Sequence, residues 1–166
     1  MKKILIALTS TSLIFAAKPA LSASVSGNFN VTVTLTSVCT MGVIGDLAFG
    51  TYTAFQSGVQ TATPTTATLT CTRGLTGVTA NFDTAAPGST AAGAATNAVG
   101  AGIISGLQYD ITATPGSISP GTAATASSSG TADSRPYSIT GSMPASQAGV
   151  TSSGTQTQVR TLTVNY

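Results

Sequence analysis

The chain has 166 residues and a formal net charge of +2, with 42% hydrophobic and only 6% charged residues. It holds no histidine, and its four acidic residues are all aspartates, Asp46, Asp83, Asp110 and Asp133, which removes the usual general base and the common nitrogen metal ligand. Lys2, Lys3 and Lys18 supply three of the six basic charges, so a chain without them goes from +2 to −1 and has no electrostatic attraction for nucleic acid or an anionic membrane surface.

Those lysines belong to a leader. Met1, Lys2 and Lys3 precede an apolar stretch from Ile4 to Ala17 and small residues around Ala20 to Ser24, the layout of a secretory signal peptide spanning residues 1–23. The apolar run is too short for a bilayer-spanning helix. Cleavage near Ala23 leaves about 143 residues, enough for one domain with a real core. The remainder is rich in Thr, Ser, Ala, Gly and Val, which favours pleated structure over helix.

The first element is the cleanest. Gly27 to Thr36 alternates without error, placing Phe29, Val31, Val33 and Leu35 on one face and Asn28, Asn30, Thr32, Thr34 and Thr36 on the other, a β-strand signal. Leu47 to Tyr52 alternates again, with Leu47 and Phe49 in phase, and Thr66 to Thr72 is a further strand that carries Cys71. Val78 to Phe82 forms a short strand before the turn residues Ala86-Pro-Gly-Ser89. From Thr84 to Gly106 the alanines suggest helix, but interspersed glycines and Pro87 argue against it; a long, loosely structured connection with room for one short strand is expected. Gly106 to Thr114 is a strand with Leu107, Tyr109 and Ile111 in phase, ended by Pro115-Gly116. The low-complexity stretch Ser117 to Ser134 gives way to a strand over Arg135 to Gly141 and a turn-like Ser142 to Gly149. Arg160 to Tyr166 alternates Leu162, Val164 and Tyr166 against Thr161, Thr163 and Asn165. About seven short strands separated by turn chemistry predict an all-β, antiparallel, immunoglobulin-like sandwich.

Catalytic chemistry is missing from the pattern. A serine or threonine nucleophile lacks an activating base, the aspartates are scattered and have no ligand-like neighbours, and no metal, cofactor or small-molecule substrate is indicated. The Asn30-Val-Thr32 acceptor match lies inside a strong strand, Gly100-Ala-Gly102 lacks the strand-to-helix setting of a phosphate loop, and Arg135 reads as a strand-edge charge. Cys39 and Cys71, an even pair behind a signal peptide, point to a disulfide rather than a metal or redox site. On pattern alone, residues 27–36 read as an ordinary first strand inside their own sandwich.

Several stretches in succession resemble the spore coat protein U domain family, which includes pilin subunits of archaic chaperone–usher pili. They are Val25 to Thr40, Leu47-Ala-Phe-Gly-Thr-Tyr52, Leu69-Thr-Cys71, Gly141-Ser-Met-Pro-Ala-Ser-Gln147 and Thr161 to Tyr166. Gln158 and Arg160 depart from the family, standing where a Tyr and an Asp often fall. The resemblance implies an incomplete immunoglobulin-like domain over 38–166, completed by a donor strand from a neighbouring subunit, with residues 24–37 as the outgoing donor. Phe29, Val31, Val33 and Leu35 would then be the donor interface. Leu162, Val164 and Tyr166 would border the groove and face a periplasmic chaperone. The implied partners are identical or homologous pilin subunits, that chaperone and an outer-membrane usher; the implied place is an extracellular surface pilus reached through the periplasm. Two other readings are a secreted coat or surface protein that folds alone, and a minor, tip-proximal adhesive subunit.

Overall fold

The computed structural model describes residues 24–84, 88–92, 97–151 and 154–166; the expected signal peptide lies outside them. Among the described residues every regular element is a strand: β1 (Cys39–Met41), β2 (Gln60–Thr61), β3 (Thr65–Cys71), β4 (Thr79–Phe82), β5 (Thr90–Ala92), β6 (Ala98–Ile104), β7 (Leu107–Pro115), β8 (Asp133–Met143) and β9 (Leu162–Asn165). Contacts divide the chain into Met1–Thr34 and Leu35–Tyr166. In the first unit the described residues, 24–34, form no strand.

The second unit is an antiparallel, immunoglobulin-like sandwich. Its larger sheet runs β1-β3-β8-β7-β6-β5, with β2 pairing the end of β8, and its smaller sheet is β4-β9 alone. Period-two alternation sorts the faces. On β3, Ala67, Leu69 and Cys71 are buried while Thr66, Thr68 and Thr70 face out. Tyr109, Ile111 and Ala113 of β7, Tyr137, Ile139 and Met143 of β8, and Ala80 and Phe82 of β4 complete the core. Pro136 fits within β8 because the β7 ladder begins one residue later, at Tyr137, where a missing N–H costs no bond.

Three expectations change. Residues 27–36 form no strand within this chain, because alternation supplies one apolar face but no ladder partner. Leu47 to Tyr52 is also not a strand, although Leu47, Phe49 and Tyr52 pack against the core; its backbone carbonyls are taken singly, Ala48 O by the Thr63 N–H and Phe49 O by the Gln60 amide. The described part of residues 84–106 is not a loose connection: β5 and the seven-residue β6 lie there, β6 paired to β7 along its whole length. The glycines that argued against order serve close approach, since a Cβ at Gly102 would overlap the Tyr109 ring that crosses it.

Candidate functional site

Residues 27–36 keep the apolar face that their sequence writes, and leave it in solvent. Phe29 is 85% exposed, Val31 85%, Val33 90% and Leu35 77%. Four large apolar side chains in phase over so short a stretch are an unsatisfied surface. The chain enters the sandwich directly afterwards: Cys39 lies opposite Cys71 in the β1–β3 ladder and the two form a disulfide. With 32 residues of separation, that closure contributes about 3 to 4 kcal/mol in the chain-entropy account.

The second half of the candidate site is the small sheet. Strand β9 pairs with β4 in the register Leu162↔Phe82 and Val164↔Ala80, and its other edge pairs with no strand among the described residues. Leu162 and Val164 are half-buried against the core, as are Met41, Leu47 and Phe49 from the start of the domain. Tyr166 is exposed. Two strands cover a sheet of seven, so part of the core is screened only by half-buried side chains beside a free edge.

The sequence matches the Spore Coat Protein U domain family over residues 25–163. The chain belongs to that family. No curated protein and no solved structure matches it. The family is associated with chaperone–usher pili and fimbriae on the cell surface, is structural rather than enzymatic, and its members deal with chaperone and usher partners. Among the described residues no group of Cys, Asp or Glu could hold a metal, and no helix is long and apolar enough to cross a membrane.

In this Spore Coat Protein U domain, Arg160 builds the corner that fixes β9. Arg160 Nε donates to Asp83 Oδ1 at 2.9 Å, Nη1 to Ala101 O at 3.1 Å and to the Tyr109 hydroxyl at 3.0 Å, and Nη2 to Asp83 O at 2.9 Å. The guanidinium also lies 5.9 Å from the ring centroids of both Phe82 and Tyr109, within cation–π reach. Gln158 accepts from the same Tyr109 hydroxyl. One side chain therefore ties the small sheet to β6 and β7. Burial pushes the Asp83 carboxyl up, but the Arg160 guanidinium and the Thr161 N–H outweigh it and hold it below the ordinary value.

Asp133, at the start of β8, is buried and accepts three backbone N–H groups: Gly74 at 2.7 Å, Leu75 at 2.9 Å and Gly121 at 2.7 Å. Such bonds favour the ionised form, and the carboxyl is held low by the N–H groups of Gly121 and Leu75 against the effect of burial. This is a loop anchor, since all of its oxygens' partners are structural. Sequence reasoning missed both carboxylate roles, because Gly74 and Leu75 stand 59 and 58 residues from Asp133, and Arg160 stands 77 from Asp83. The scarcity of charge was the available signal, since Asp83 and Asp133 are two of only four carboxylates in the chain.

Proposed function

We propose that this chain is a structural pilin subunit that polymerises head to tail by donor-strand exchange. Residues 24–37 act as the donor, and the free edge of β9 accepts the donor of another subunit. The observation that carries this reading is the pairing of two deficits: an alternating segment with four apolar side chains 77–90% exposed, and a two-stranded sheet with an unpaired edge above half-buried apolar residues. β-Strand addition satisfies both at once.

Size and energy agree. Residues 28–36 extend about 30 Å, the length of a sandwich. Burying Phe29, Val31, Val33 and Leu35 contributes roughly 6 to 12 kcal/mol as an upper figure, comparable with the whole stability of an ordinary domain. A free edge of this kind also invites wrong pairing, which explains the need for a periplasmic chaperone that occupies the groove, and contacts Leu162, Val164 and Tyr166, before an outer-membrane usher exchanges it for the next donor. Subunits then leave the periplasm as a surface fibre.

The test appends a copy of residues 25–37 after Tyr166 through a flexible linker. Conversion of a chaperone-dependent subunit into a stable monomer is the expected result. A native chain that is already a stable monomer, indifferent to the appended strand, would indicate a surface protein that folds alone and end this reading. In the fibre, Phe29→Asp with Val33→Asp abolishes polymerisation while leaving the chaperone-bound subunit intact.

A further inference from the structure

One end of the sandwich is held in a backbone geometry that its residues do not favour. Phe55, Ser105 and Ser146, with φ of 60°, 50° and 61°, are the non-glycine residues of positive φ among the described ones, and they sit together. The Phe55 N–H donates to Gln147 O, the Ser146 N–H to Gln56 O and the Val150 N–H to Ser105 O, each at 2.8 Å. Gln147 locks the cluster: its Oε1 accepts from the Gln108 N–H at 2.6 Å and its amide nitrogen donates to Gln108 O at 2.9 Å. Its own N–H donates to the Tyr52 hydroxyl at 3.1 Å, which donates in turn to Pro144 O at 2.7 Å. Three loops, 53–58, 104–108 and 144–150, are thus stitched into one rigid pole without a charged residue among them. That pole exposes apolar surface, with Phe55 71% and Val150 62% accessible. An aromatic in the left-handed region is costly where Asn would sit more easily, and strain of this kind persists where a function uses it.

Chain length says what covers this pole. All ladders in the domain are antiparallel, and β9 sets out from Arg160, which is bonded to Ala101 and Tyr109 close to the 104–108 turn. A donor laid antiparallel on β9 therefore ends, at Leu35 and Thr36, beside this pole. Leu35 is four residues from Cys39, which is fixed by its disulfide, and four residues reach at most about 14 Å. The Cys39 end of the donating subunit must then lie against the pole of the accepting one. That end carries exposed Val38 and Ile118.

We infer that the Phe55–Val150 pole is a second interface between consecutive copies of this chain, seating the Val38 and Ile118 end of the subunit whose donor strand fills the groove. This rests on the donor-strand reading and adds a contact outside the groove.

Two variants of the full mature chain test it. Phe55→Asn with Val150→Asn relieves the backbone and removes apolar surface. The isolated subunit is expected to melt at an unchanged or higher temperature and to bind a synthetic peptide of residues 25–37 as before, while its fibres dissociate in denaturant roughly tenfold faster. Fibres that dissociate at the parent rate, or a subunit that loses stability in step with its fibre, would overturn the inference. The second variant, Ile118→Cys with Val150→Cys, is treated in fibres with a bismaleimide of about 10 Å span. The two sites are near opposite ends of β7, whose nine residues cover about 30 Å, so only neighbouring subunits can be joined; native cysteines are paired and do not compete. A ladder of covalent multimers is expected. Fibres without a ladder, or linking by Ile118→Cys alone, refute the pole contact and leave donor exchange standing. Failure of the 25–37 peptide to bind removes both.

Discussion

Residues 27–36 and strand β3 are written in the same alternating script and meet opposite fates. On β3, Ala67 and Leu69 are each 2% exposed and Cys71 3%; on the amino-terminal segment the apolar positions are 77–90% exposed. The difference is in ladder partners. Strand β3 lies between β1 and β8, paired with residues more than 60 positions away in β8, whereas the amino-terminal segment pairs with nothing in its own chain among the described residues. Alternation therefore specifies that a face will be buried, and leaves open which molecule buries it.

Substitution on the two sides separates core from interface. Tyr137, 1% exposed at the centre of β8, is the larger loss: Tyr137→Ala is expected to lower subunit stability by about 3 to 5 kcal/mol through lost burial and a cavity. Val33→Ala should stay within about 0.5 kcal/mol in the same urea titration, and show its cost only when fibres are melted. A Val33→Ala effect on the lone subunit as large as a core substitution would erase the contrast and make residues 27–36 an internal strand. The disulfide sits at the junction between the two regions. Cys39→Ser with Cys71→Ser is expected to cost about 3 to 4 kcal/mol by the loop-closure account, read as a lower urea midpoint with an unchanged slope, since the bridge constrains the domain and not the amino-terminal segment.

The contrast also explains what could be read in advance. Strands β3, β4, β7, β8 and β9 were legible because each combines a sheet-forming run with a bounding turn, and the apolar face of the amino-terminal segment was legible from the four in-phase residues at 29, 31, 33 and 35. Strand β6 was not, because its Gly100 and Gly102 look like a linker until Tyr109, Phe82 and Arg160 are seen to occupy the space where side chains would stand. Leu47 to Tyr52 failed in the other direction: its pattern is that of a strand, and it packs like one, but no neighbour offers it a ladder. The Arg160 corner and the Gln147 lock depend on contacts 39 to 95 residues apart, which local pattern does not encode.

Acid should divide the same two regions, with the smallest effect of the three. Between residues 24 and 37 there is no ionisable side chain, so the amino-terminal segment itself carries no pH dependence. The domain carries two depressed carboxyls: Asp133, held low chiefly by the N–H groups of Gly121 and Leu75, and Asp83, where burial opposes and the Arg160 guanidinium prevails. A group whose folded value lies below its unfolded value, about 3.9 for Asp, stabilises fully above that unfolded value and loses its contribution as pH falls through the folded one. Subunit stability is therefore expected to be level from neutral pH down to about 4 and to decline below it. Asp133→Asn should be less stable at neutral pH and show a shallower acid decline, measured as urea midpoints across the acid range. An equally steep decline in that variant would move the acid response away from the β8 anchor and onto the Asp83–Arg160 corner, which ties β9 to β6 and β7.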